Sequence, residues 1–352
     1  MSQSILAEPN NALITDKLFR SASVDILKVA AIFAVVFIHS SFLIPFVPTK
    51  FDLSRDGIEL LTSGFQFCVP VFILIWAYFA EKSVMKKGSH IVISRFYKLL
   101  IPFFFWSAVY FILIADFKHT GIVQMITKHW TGYGWSGQYY FIILFQLLLL
   151  FPFISRVTHH LLSYRTIIVL LSIAFFFGVS YSGWLNISAV SKLNDRPFIY
   201  WLPLVMLGIV FANVGFFKIK IPAFVAIASV LLIILEKYLY PNLSSPHLMP
   251  SVFIVTLILT NTAFKAKVDY EKLNPVLGNT IRNIAENTLG IFCLNPLVNM
   301  LLSPVLPPLK NHIQFPGCSV MIPLLSTLLV ISICMLVIAT LKKIRVGFLV
   351  AN

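Results

Sequence analysis

The sequence predicts an all-α fold, a polytopic membrane helix bundle of about ten transmembrane helices. Three observations carry that reading. The 352 residues are 59% hydrophobic and only 11% charged, roughly half the charge of a soluble domain. Apolar stretches of spanning length recur along the chain. The net charge of +14 sits in short clusters between those stretches. That placement argues against a nucleic-acid partner and fits the lysines and arginines of cytoplasmic membrane loops.

The expected spans are 24–45, 58–80, 98–115, 138–154, 165–183, 198–217, 221–239, 248–264, 287–303 and 319–341. Residues 1–22 are polar and lack the basic-then-apolar order of a signal peptide, so the first apolar run reads as a retained helix. Ten spans put both termini on one side. With the N-terminus inside, eighteen lysines and arginines fall in inner segments, eight in outer ones, and Lys28 in the first span itself. The orientation is therefore N-in and C-in, with cytoplasmic tails at 1–22 and 342–352 around a membrane domain at 23–341. No inverted repeat is visible and no long soluble domain interrupts the spans. The four cysteines are scattered in or beside apolar runs and read as small hydrophobes. In the outer loop "GIVQMITKHWTGYGWSG", Trp130, Tyr133 and Trp135 read as an interfacial belt, with sugar stacking as the alternative.

Within "KVAAIFAVVFIH", Lys28 and His39 are eleven positions apart. At 100° per residue they project from one helix face, about 16 Å apart along the axis. Lys28 falls near the cytoplasmic surface and His39 in the outer half of the bilayer. Asp25, three residues earlier, can share the cost of burying the lysine. Separately, the lysine can snorkel and the histidine can bridge two helices. Together on one stripe, they point to a polar channel, because ionisable groups in a span usually face a cavity or pathway. A ligand that fits is a long anionic carrier such as acyl-coenzyme A, with its phosphates at Lys28 and its thioester near His39. Neutral imidazole suits a general base acting on a sugar hydroxyl.

"VDILKVAAIFAVVFIHS" resembles the opening helix of the membrane acyltransferase 3 family, whose signature is Arg or Lys, ten residues, then His. "SRFYKLLIPFFFWS" resembles the family's basic lead into a proline-containing third helix, and "GQYYFIILFQLLLLFPFI" its aromatic fourth helix, with Tyr139 where tryptophan is common. "WLPLVMLGIVFA" resembles a mid-chain helix carrying a glycine, here Gly208. "ENTLGIFCLNPLV" is similar to the late Ser-x-Gly-x-Tyr-x-x-His-Pro segment. The resemblance implies an integral bacterial inner-membrane O-acyltransferase. It would carry acetyl or another short acyl group from acetyl-CoA or other acyl-CoA to a polysaccharide or lipid-linked sugar. It implies catalytic roles for His39 and Lys28 and donor binding by Lys28 and Arg95, with no metal.

Arg95 and Lys98 are i, i+3 neighbours at a cytoplasmic helix entrance. They suit a phosphate contact, with plain orientation as the alternative. Asn295 stands where the family often has a late histidine, and Phe292 where tyrosine is common. An amide can hydrogen-bond an acyl oxygen or satisfy a helix break before Pro296, but it cannot shuttle protons. Ser40 and Ser41 point away from His39, and the remaining histidines read as solvated loop residues without metal spacing. The competing class is a transporter or exporter of a glycan or lipid-linked sugar, which would use the same charged stripe as a pathway. A non-catalytic envelope subunit is the third reading. The expected partners are acyl-CoA, the glycan or lipid-linked acceptor and membrane lipids; a protein partner is not readable.

Overall fold

The computed structural model describes residues 21–41, 43, 53–114, 121–130, 132, 134–183, 193, 195–243, 245–266, 268–306 and 316–350. Residues 1–20, His119, Tyr133, the Trp130 side chain, His312 and the loop cations Lys50, Lys118, Lys192, Lys267 and Lys310 lie outside these. Among the described residues every regular element is helical. The α-helices are α1 (Ala22–Ser40), α2 (Arg55–Ser63), α3 (Cys68–Lys87), α4 (His90–Ile114), α5 (Ile122–Trp130), α6 (Gln138–His160) and α7 (Arg165–Tyr181). Then follow α8 (Leu202–Val214), α9 (Ala223–Ala228), α10 (Leu231–Leu239), α11 (Pro250–Ala266), α12 (Pro275–Glu286), α13 (Thr288–Leu302) and α14 (Cys318–Lys343).

All ten expected segments carry helix, but six helical stretches among the described residues are long and apolar enough to cross a membrane. These are Ala22–Ser40, Arg55–Lys87, His90–Ile114, Gln138–His160, Leu162–Tyr181 and Cys318–Lys343. Leu202–Val214, Pro250–Ala266 and Thr288–Leu302 are apolar but shorter. The expected span 221–239 breaks into α9 and α10. Between them the Ser229 hydroxyl bonds back to the Ala226 carbonyl at 2.6 Å, and Val230, Leu232 and Ile233 donate three residues back. That is 3₁₀ tightening, which interrupts the α-ladder without turning the chain away.

α1 is the hub. It packs against α3, α11, α12, α13 and α14, and most of its residues are buried. α3 and α8 lie closest because Gly208 has no side chain: a Cβ there would come within 2.8 Å of the Leu74 carbonyl oxygen and 2.6 Å of the Ala77 Cβ. Small residues permit such close approach in membrane bundles. Outward faces of α4, α6, α7 and α14 display Ile101, Phe104, Leu149, Phe153, Leu170, Leu171, Leu328 and Leu336, the apolar surface a lipid solvent requires. The four cysteines are buried and none is in a disulfide.

After α14 the chain folds back onto the bundle. Trp106 Nε1 on α4 donates to the Leu349 carbonyl at 2.9 Å, and Val350 is fully buried. Gly290 admits this segment, since a Cβ there would stand 2.6 Å from the Val350 oxygen.

Trp135 does not belong to an interfacial belt. It is buried, stacks on Tyr110 with centroids 4.8 Å apart, and sits beside Phe292. The turn that tucks it in uses Gly137 at φ +95°, where a Cβ would meet the Phe292 ring at 2.9 Å. Gln138, fully buried, pins the turn by accepting from Gly134 N at 2.8 Å and donating to Ser107 Oγ at 2.9 Å.

Candidate active site

The two ends of α1 carry the two halves of the candidate site. At the N-terminal end, Lys28 Nζ is 3.1 Å from Asp25 Oδ1, and Asp25 Oδ2 accepts the Tyr270 hydroxyl at 2.6 Å. The Tyr270 ring lies under the Arg282 guanidinium at 4.5 Å. Asp25 is buried, so its charge is held between an ammonium and a phenol rather than by water. Lys28 also lies 5.4 Å over the Phe79 ring on α3, a cation–π arrangement.

One turn along α3, Ser83 Oγ donates to the Phe79 carbonyl and accepts from Arg95 Nη2 at 2.7 Å. Lys28 and Arg95 therefore meet the same face of α3. Lys98 is exposed. Lys342 Nζ on α14 donates to Asn287 Oδ1, between α12 and α13, at 2.7 Å. Tyr270 and Arg282 join this cluster without any sequence signal, since 245 positions separate Tyr270 from Asp25.

At the C-terminal end, His39 is exposed. Its Nδ1 is 3.1 Å from Ser136 Oγ, in the turn before α6. The neighbouring serines are otherwise engaged: Ser40 Oγ bonds to the Val36 carbonyl and faces Thr327, and Ser41 Oγ bonds to the Phe37 carbonyl. The hydroxyl beside the imidazole therefore comes from another element.

His247 also stands here, an electrostatic neighbour of His39. It is not a solvated loop residue as expected from sequence: Nδ1 is 3.0 Å from the Gln66 carbonyl oxygen and Nε2 is 3.3 Å from the Tyr139 hydroxyl. Two further histidines depart in the same way. His159 lies in α6 and meets the buried Glu81 at 2.7 Å, with Ser155 and Asn213 completing the carboxylate's partners. His129 ends α5 with its ring against Phe111, and burial holds it below its ordinary pKa. Partners from other segments engage His247 and His129, whereas His159 stays 43% exposed beside its carboxylate.

The stripe between Lys28 and His39 is not an open channel. Ile32 and Val35, the positions between them on that face, are 0% and 3% exposed, packed into the apolar core around α1. The polar surface is confined to the two ends.

Asn295 sits on α13 just before Pro296. Proline cannot donate to the Phe292 carbonyl, and Asn295 Nδ2 takes that place at 2.8 Å. Its Oδ1 is buried without a protein partner. The following ladder bond is replaced as well: the Tyr110 hydroxyl donates to the Cys293 carbonyl at 2.7 Å and accepts from Leu297 N at 2.9 Å. A side chain inserted into the backbone ladder is one recognised cause of a helix break. Asn295 thus serves the break before Pro296.

A family model described as an acyltransferase domain matches residues 21–342. No curated protein and no solved structure matches the chain.

Proposed function

Since the chain belongs to the acyltransferase 3 family of membrane proteins, we propose that it transfers an acetyl or other short acyl group from cytoplasmic acyl-CoA to a hydroxyl of a cell-surface polysaccharide or lipid-linked sugar. It does so in a bacterial inner membrane, with about ten crossings and both termini inside. The observation that carries the reading is His39: an exposed imidazole on the helix shared with Lys28, with Ser136 Oγ of another segment at its Nδ1. If Nδ1 gives its proton to Ser136 Oγ, 3.1 Å away, Nε2 holds the free lone pair a general base needs.

The donor's phosphates are received at the inner end by Lys28, with Arg95 and Lys98. Asp25 keeps Lys28 in place. The acyl arm extends towards His39, which takes the acceptor's hydroxyl proton as the oxygen attacks the acyl carbon. Coenzyme A leaves as the thiol. Because Ile32 and Val35 are packed in the resting state, donor binding must part α1 from a neighbour at that level.

The test is mass spectrometry of envelope glycans and lipid-linked sugars from cells carrying wild type, His39→Ala at matched expression, or no protein. An acyl mass increment that appears only with wild type is the expected result and names the acyl group. An increment that survives in His39→Ala removes the base role. If glycan location depends on the protein and acylation does not, the chain is an exporter.

A further inference from the structure

A histidine in a 3₁₀ turn (Pro246–Leu248) ahead of α11 is ordinarily solvated, yet both ring nitrogens of His247 are engaged. The Gln66 carbonyl can only accept, so Nδ1 carries the proton. In the neutral imidazole Nε2 is then the acceptor, to which the Tyr139 hydroxyl donates across 3.3 Å. Tyr139 is three residues beyond Ser136, whose hydroxyl meets His39. Four segments far apart in sequence converge here: the end of α1, the turn before α3, the start of α6 and the turn before α11.

We propose that Tyr139 is a second catalytic group of this site, donating its O–H to the acyl carbonyl oxygen as that oxygen gains charge, and that His247 is the residue that positions it. The assignment rests on the acyl-transfer reading above. In the step, the acceptor's O–H proton passes to His39 and its oxygen forms a bond to the acyl carbon. The carbonyl π pair moves onto oxygen, where the Tyr139 O–H receives it. The pair then re-forms C=O, the C–S bond breaks, and the departing thiolate takes the proton from His39. Ester and free thiol result, and Tyr139 keeps its proton throughout.

Two features fit this role. An O–H···N contact of 3.3 Å is long for a hydrogen bond, so little is lost when the phenol turns to a developing oxyanion. A His247 whose Nε2 accepts is neutral, and so does not oppose the positive charge that His39 acquires.

The experiment measures coenzyme A release from acetyl-CoA by membranes holding the full-length protein and its own acceptor. Wild type, Tyr139→Phe, His247→Ala, His247→Gln and His39→Ala are compared at matched expression. Tyr139→Phe is expected to lower kcat by about a hundredfold, as loss of one oxyanion donor does, with KM for acetyl-CoA unchanged. His247→Ala lowers kcat by about tenfold, and His247→Gln, whose amide offers both a donor and an acceptor, recovers most of it. A mere tie between α6 and the turn before α11 would reduce folded protein and leave kcat per folded molecule intact, which overturns the proposal. So does wild-type kcat in Tyr139→Phe. If Tyr139→Phe fails to accumulate, equal kcat in His247→Ala and His247→Gln overturns it instead. A loss in Tyr139→Phe with full activity in His39→Ala keeps the donor and removes the base. No release by wild type above the empty membrane removes the transferase reading and this assignment with it.

Discussion

His39 Nδ1 lies 3.1 Å from Ser136 Oγ, although 97 positions separate the two residues. The contact joins the end of the hub helix to the turn that opens α6, and it gives the imidazole a partner at one nitrogen. Both residues are exposed, so neither supports the core.

Removing the imidazole is therefore expected to cost activity and not stability. His39→Ala should lower the acyl-transfer rate by about 10²–10⁴-fold, the range for loss of a general base. Its thermal unfolding in detergent should match wild type. Ser136→Ala should cost about tenfold or less, because water can replace an exposed hydroxyl. Steady-state kinetics and a melting curve on the same preparations check both.

At the N-terminal end of α1, Lys28→Ala should raise KM for acyl-CoA by about tenfold, equivalent to one charge-assisted hydrogen bond, with kcat less affected. Lys28→Arg should retain binding, since a guanidinium reads phosphate at least as well. Asp25→Asn should also raise KM, because the ammonium loses the carboxylate that holds it at 3.1 Å. Initial rates across a range of acyl-CoA concentrations separate the two constants.

Tyr110→Phe removes the hydroxyl that fills the break in α13 and strands the buried Cys293 carbonyl and Leu297 amide. An unpaired buried backbone group costs about 1–3 kcal/mol. The expected result is a lower midpoint of unfolding in detergent, with the helical circular-dichroism signal of the folded state unchanged.

The proposed orientation makes an accessibility prediction. The native cysteines are buried, so a membrane-impermeant maleimide has little background. In intact spheroplasts, Lys128→Cys should label and Lys87→Cys should label only after permeabilisation; both positions are exposed. The reverse pattern would invert the bundle.

How much was legible follows from the range of the interactions involved. Lys28, Asp25 and His39 share one helix, and their spacing alone places them on one side of it. Asn295 before Pro296 was legible as a helix-break residue for the same local reason, and its amide does serve that break. Trp135 was misread because its stacking partner, Tyr110, lies on another helix. His159 was misread because its carboxylate partner, Glu81, is 78 positions away.

By itself the sequence determined an α-helical membrane bundle, the identity of the hub's charged residues and their common face. These depend on apolar content and helical period, which act within a few turns. The tertiary structure alone decided that Ser136, His247 and Tyr139 gather near His39, that Tyr270 reaches Asp25, and that Ile32 and Val35 close the stripe between the two ends. Those outcomes depend on which helix faces meet, and helix faces in a membrane are matched by packing and polar satisfaction across distant segments, which no local pattern encodes.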